Sequence, residues 1–258
     1  MEIQTHINDG ILTIHFNRPE KKNALTFGMY QAMADAINAS NEDPTIRVIL
    51  ITGKPEIFTA GNDLEDFMKH AGSLNSDTDL PPVYQFMHAL NRAINPVIAA
   101  VSGGAVGIGT TMLMHCDLIY AADNAKFSLP FTQLGLCPEF ASSMVFQQMI
   151  GHQRAAEKLL LGEAFMAQEA YEIGFINRVL PLADLLPYAE QQAAKIAALP
   201  AKSIRLTKRL MKRTLPQEIV ETMNEENRHF AAMLNEPEAR EAFMAFFQKR
   251  KPDFKQFN

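Results

Sequence analysis

Four glycines within seven positions, Gly103, Gly104, Gly107 and Gly109, stand between the β-branched run Val97–Val101 and the apolar segment Met112, Leu113, Met114. That order predicts a strand, a tight turn and a helix. Glycine at such a turn lets a ligand approach the main chain and leaves the first N–H groups of the helix pointing at it. N–H groups so placed suit an anion, or an oxygen that becomes anionic during a reaction. The pattern occurs twice, because residues 57–64, IFTAGNDL, read as another strand ending in glycine, Gly61, before a helix. The four-glycine stretch runs on to Leu136, Cys137, Pro138, Glu139 and Phe140, a carboxylate between apolar neighbours.

The remaining segments fit around these two turns. Residues 3–7 and 11–16 alternate apolar with polar on either side of Asn8, Asp9 and Gly10, a hairpin signal. Met29, Met33, Ala36 and Ile37 share one helical face and predict a helix over 26–40. Residues 47–53 predict a buried strand, and 71–82, small, acidic and ending in two prolines, a loop before a helix over 83–94. Short strands are expected at 117–121, 125–129 and 176–180, with three helices between 140 and 175. From 183 onward the chain reads as helix, with breaks at Pro200 and Pro216. Strands alternating with helices, then helices alone, predict an α/β core of residues 1–195 and a C-terminal helical region of 196–258.

Composition narrows the class. With 258 residues, 47% of them apolar, and no Pro/Ser-rich linker, one large body is expected. A formal charge of −5 gives no electrostatic case for nucleic acid. Cys116 and Cys137 form no CxxC, no start-of-chain targeting signal stands out, and no apolar run is long enough to span a bilayer. A soluble cytoplasmic protein is the expectation. The seven histidines show no paired-ligand spacing, so no metal site is expected.

Phe58 to Leu64, Pro96 to Val101, Gly107-Ile108-Gly109, Cys116-Asp117 and Ala125-Lys126-Phe127 together resemble the crotonase, or enoyl-CoA hydratase/isomerase, superfamily, and the resemblance extends to Phe246 through Lys251. It implies a crotonase-type spiral of ββα units, a C-terminal α-helical trimerisation region, a homotrimer or hexamer, and an acyl-CoA thioester substrate. No cofactor is implied beyond the coenzyme A carried by the substrate itself. It also implies an oxyanion hole made by the N–H groups of Asn62 and Ile108. Arg18, Lys21 and Lys22, with Phe246 and Lys249, match positions that reach the nucleotide. Ala60, Asn62, Asp63, Leu64, Gly104, Ile108, Phe131 and Leu136 match positions along the bound thioester. The segment 71–82 and the helix over 83–94 are expected to line the acyl tunnel.

Side chains separate the chemistries that one fold can carry. Hydratases of this superfamily use two glutamates, at positions held here by Thr111 and Phe131, neither of which moves a proton at neutral pH. Gly135 to Glu139, followed by Ser142 and Ser143, is instead similar to the monofunctional isomerases that shift a 3-enoyl-CoA double bond to the 2-position. In them the glutamate after the proline is the base, which here is Glu139. Apolar neighbours, among them Phe131, Leu136, Phe140 and Met114, are expected to raise its pKa. Other readings stay open at this stage. Pro138-Glu139 is also what a helix start looks like. The chain could be another acyl-CoA enzyme, hydratase-like, or a non-catalytic acyl-CoA binding protein. A dinucleotide fold is excluded by the missing G-x-G-x-x-G, and Ser102 lacks the elbow of a nucleophile.

Overall fold

Asp9 and Gly10 take positive φ, 48° and 78°, the conformation a two-residue hairpin needs. On that turn β1 (Ile3–Asn8) folds back antiparallel onto β2 (Ile11–Phe16). The computed structural model describes residues 1–70, 80–213 and 215–257, so part of the expected loop at 71–82 lies outside the described residues. Helix α1 (Phe27–Glu42) follows, capped by the Thr26 hydroxyl, which accepts from the Met29 N–H at 3.2 Å.

Three strand pairs then repeat one construction. β3 (Val48–Thr52) leads to β4 (Ile57–Thr59) and α2 (Leu64–His70); α3 (Pro82–Asn91) intervenes; β5 (Val97–Val101) leads to β6 (Gly104–Val106) and α4 (Ile108–Thr111); β7 (Leu118–Ala122) leads to β8 (Lys126–Ser128). In each pair the first strand enters one sheet and the second enters another. The larger sheet runs β1-β2-β3-β5-β7-β10 and the smaller β4-β6-β8-β9, with β9 (Phe165–Met166) and β10 (Arg178–Leu180) completing them. Helices α5 (Ser142–Ile150) and α6 (His152–Leu161) precede β9, and α7 (Ala167–Glu172) lies between β9 and β10. This is the ββα spiral, with one departure from the glycine stretch as read. Residues 103–109 are not one turn, because Gly104–Val106 pairs parallel with both β8, in register, and β4, with a register shift between Ile57 and Thr59.

After β10 the described elements are helices, apart from a short terminal turn: α8 (Leu182–Ala197), α9 (Ala201–Met211), α10 (Leu215–Met233) and α11 (Pro237–Phe247). The break expected at Pro216 falls just before it, between Met211 and Leu215, and Pro216 is the second residue of α10, where no N–H is required. The parallel strands β3 and β5 are buried at every residue, as a sheet covered on both faces demands. One face, Val48, Leu50, Ile98, Ala100 and Tyr120, packs on Leu185, Ala189 and Ala193 of α8. The other face enters the main core with α1 and α3.

Helix α9 is tied to the sheet by charge. Lys208, 7% exposed, places Nζ 2.6 Å from Asp117 Oδ2 and 2.7 Å from the Asn95 carbonyl, and the same Asp117 oxygen accepts from the Val97 N–H. Asp117 therefore holds a turn, as its sequence context suggests. Lys208→Met takes the nearest cation from Asp117, leaving Lys212 at 3.9 Å and the Val97 N–H, and we expect a loss of about 3 kcal/mol in urea unfolding.

Candidate active site

The two glycine turns meet because β4 and β6 are parallel neighbours. Gly61, with φ of 87°, lies so close to β6 that a Cβ there would stand 2.8 Å from the Val106 carbonyl oxygen. Gly107 takes φ 55° and ψ −119°, a conformation open to glycine, and its own N–H is spent on the Ser128 carbonyl at 2.9 Å. The residue after each glycine is then presented by its backbone. Leu25 bridges across Asn62 through the Gly61 carbonyl and the Asp63 N–H, bypassing the Asn62 N–H. Ile108 is the first residue of α4. Among the described residues, no protein acceptor pairs with the N–H of either Asn62 or Ile108.

Both residues line a cavity of about 510 Å³. Its wall takes Lys21, Lys22 and Ala24 from the turn after β2, Ala60, Asp63 and Leu64 from the first glycine turn, Val106 from the second, and Pro130, Phe131, Leu134 and Leu136 from the segment after β8. Phe67 of α2, Phe230 of α10, Leu234 just after it, and Phe243, Phe246 and Phe247 of α11 close it. Lys21 and Lys22 are both exposed at its edge. Their turn is pinned by the buried Asn23, which donates to the Ile57 and Phe58 carbonyls at 3.1 Å each and accepts from the Arg18 N–H at 2.8 Å.

Several of the expected residues stand elsewhere. Arg18 does not line the cavity: its guanidinium is held 2.7 Å from Asp63 and 2.8 Å from Glu2. Burial alone would push the Asp63 carboxyl up, but the Asp66 N–H and Arg18 hold it below the usual carboxylate range. Gly104 sits in β6, facing the Ile57 side chain and a shallower depression beside Lys126. Lys249, exposed beyond α11, is not in the wall, nor are Phe140 and Met114, which are core residues. Among the described residues α3 contributes nothing to the wall, so the expected tunnel lining by residues 83–94 is not found. Ser102 is buried and donates to the Lys54 carbonyl at 2.9 Å, a structural bond.

Glu139, three residues past the lining residue Leu136, is 3% exposed and is not itself among the residues that line the cavity. Among the described residues its Oε1 has no hydrogen-bond partner. Helix α5 begins at Ser142, so the carboxylate precedes the first turn and a helix-start role does not explain it. Burial pushes its carboxyl up to about 8, with the Glu226 carboxylate adding to the shift. Glu139 in turn raises the pKa of the Tyr30 and Tyr84 phenols, after burial itself. The Tyr30 hydroxyl donates to Asn62 Oδ1, which links the acid's surroundings to the first turn. His115 stacks on Phe140 with centroids 3.9 Å apart and bonds its carbonyl at 2.8 Å through Nε2. Burial lowers its pKa to about 3, so it stays neutral and donates that bond.

Tyr30, Tyr84, Glu226, Phe230 and Phe243 are absent from the sequence-based expectations. Glu226 carried a readable signal, since Ile219, Met223 and Phe230 are buried at helical spacing and Glu226 falls on their stripe. Among the described residues no group of three acidic, histidine or cysteine side chains could hold a metal, and no helix is long and apolar enough to cross a membrane.

A ββα spiral that sets two free peptide N–H groups over an apolar cavity defines the crotonase class. The chain belongs to the enoyl-CoA hydratase/isomerase family, whose sequence model matches residues 6–257. It is 36% identical over 244 residues to enoyl-CoA delta isomerase 2 of Rattus norvegicus, covering 93% of this chain and 62% of that protein, so it spans less than two thirds of that relative. It is 34% identical over 245 residues to a probable enoyl-CoA hydratase, echA8, of Mycobacterium leprae, covering 95% and 93%. The solved enoyl-CoA hydratase/isomerase of Pseudoalteromonas atlantica T6c superposes with a TM-score of 0.92 at 37% identity, covering 98% of this chain and all of that one.

Proposed function

We propose that this protein is an isomerase that moves the double bond of a 3-enoyl-CoA thioester to the 2-trans position. The observation that carries the reading is a buried carboxylate, Glu139, with an oxygen free of partners, while Thr111 and Phe131 occupy the positions where family hydratases keep their acids. The thioester oxygen sits against the N–H groups of Asn62 and Ile108, where developing negative charge is stabilised by dipoles already in place. Glu139 takes a proton from C2, the electron pair spreads through the double bond as a dienolate, and the same carboxyl returns a proton at C4. No atom is gained or lost, and one carboxyl serves both carbons. Lys21, Lys22 and the exposed rings of Phe246 and Phe247 stand at the cavity's edge, a setting for the phosphates and adenine of coenzyme A.

Product analysis tests this directly. Incubated with 3-enoyl thioesters of several chain lengths, the protein is expected to yield 2-trans-enoyl thioesters in single-exponential time courses, and to add water to 2-enoyl thioesters far more slowly. 3-Hydroxyacyl thioesters as the dominant product would overturn the isomerase reading in favour of hydration. A second variant probes the oxyanion side. Tyr30→Phe frees the Asn62 side chain and is expected to lower kcat about tenfold with little change in KM, measured by the same assay.

A further inference from the structure

The turn that carries Glu139 is strained, and something holds it. Phe140 and Ala141, the two residues after the acid, both take positive φ, 59° and 55°, without being glycine. Such conformations cost on the order of 1–2 kcal/mol each and persist where the surroundings fix them. The fixing group is Glu226, which reaches the turn from α10. Its Oε2 accepts from the Ala141 N–H, and its Oε1 accepts from the Ser143 N–H at 3.0 Å and from the Ser143 hydroxyl. Glu226 is 7% exposed, and none of these three donors belongs to solvent. We propose that Glu226 is the positioning residue of the site: its carboxylate clamps residues 141–143, fixes the left-handed turn on which Glu139 stands, and makes helix α10 part of the proton-transfer apparatus.

The chemistry of the pair supports the assignment, which rests on the reading of Glu139 as the base. Two carboxyls share one buried neighbourhood, and their surroundings differ. Burial pushes Glu226 up as well, but the Ser143 hydroxyl, the Ser143 N–H and the Ala141 N–H all favour its anion. Glu139 has no such donor at Oε1, and the Glu226 charge adds to its preference for the proton. Three donors thus oppose burial at Glu226 and suit its anion, while Glu139 is left able to carry hydrogen. The other titratable groups acting on this region are Tyr30 of α1, Tyr84 of α3 and Cys137 of the same turn, all raised by burial, His115, neutral because burial lowers it with Lys212 adding to the shift, and Glu225, which raises Glu226 further. Glu226 is therefore the anion that acts on the base.

Glu226→Gln keeps the size but gives the turn one acceptor oxygen in place of two, so one buried N–H loses its partner. We expect kcat to fall about a hundredfold with KM for the thioester nearly unchanged. The acid limb of the kcat profile should move down by about one pH unit or more, because the base loses its anionic neighbour. Ser143→Ala, which deletes one donor and no charge, should lower kcat about tenfold and leave the limb in place. It carries the test if Glu226→Gln does not fold. Full turnover and an unmoved limb in folded Glu226→Gln, or an unchanged kcat in Ser143→Ala, overturns the proposal. Glu139→Gln serves as the control. If it is inactive while the Glu226 and Ser143 variants are normal, the positioning role fails and the isomerase reading stands. If Glu139→Gln stays active, the isomerase reading fails, and carboxyl carbon NMR decides on Glu226. A Glu139 titration midpoint lower in Glu226→Gln upholds the coupling, and an unmoved one ends it.

Discussion

Glu139→Gln is expected to lose isomerase turnover by about a thousandfold or more while becoming the more stable protein in alkaline solution. Both effects have one origin. The Glu139 carboxyl is raised from 4.5 to about 8 by burial, with Glu226 contributing. The native state therefore prefers its protonated form. The associated stability is complete below the unfolded value of 4.5 and is lost as pH climbs through 8, where ionising the buried group costs on the order of 5 kcal/mol. Glutamine cannot ionise and escapes that cost. Urea midpoints should match at pH 5 and separate at pH 9, with the variant the more resistant. Turnover by the wild type runs the opposite way, since the base must give up its proton first. kcat should rise with pH below about 8 and level off above it. A variant that lost turnover without gaining alkaline stability would show that Glu139 is not buried as an acid.

Gly61→Ala is the second large effect. The added methyl would stand 2.8 Å from the Val106 carbonyl oxygen, on a backbone whose φ of 87° already disfavours an L side chain. β4 and β6 must separate to admit it, and that separation moves Asn62 relative to Ile108. The expected result is a loss of about 3 kcal/mol in stability and at least about a hundredfold in kcat, the scale of one missing oxyanion donor. Because the thioester's other contacts survive, KM should change far less than kcat. Chemical denaturation and steady-state assays on one preparation separate the two losses.

The parts of this site that could be read in the sequence are those made by local backbone demands. Gly61 and Gly107 announce themselves because few other residues take the conformations they hold. The hairpin at Asp9-Gly10 and the helical face of Met29 and Met33 are legible for the same reason, each being a short-range rule. Glu139 was visible from its apolar flanks and its match to the family pattern. What escaped depends on pairings that the fold alone creates. Arg18 looked like a phosphate ligand until Asp63, 45 positions away, claimed its guanidinium. β6 was hidden because Gly104-Ala105-Val106 has no alternation and is a strand only by virtue of β4 and β8 on either side. Glu226 meets Ala141 across 85 positions, and nothing near either residue signals the meeting.

The cavity is made of two kinds of material. Asn62 and Ile108 face it through peptide groups, whereas Phe230, Phe243, Phe246 and Phe247 close it with side chains that helices α10 and α11 bring in late. A codon change cannot delete a peptide amide, but it can turn any of those rings into something smaller. Drift in this lineage is therefore free to reshape what fits the cavity while the polar grip at its floor persists, and laboratory evolution toward bulkier acyl groups should find its first gains in α11.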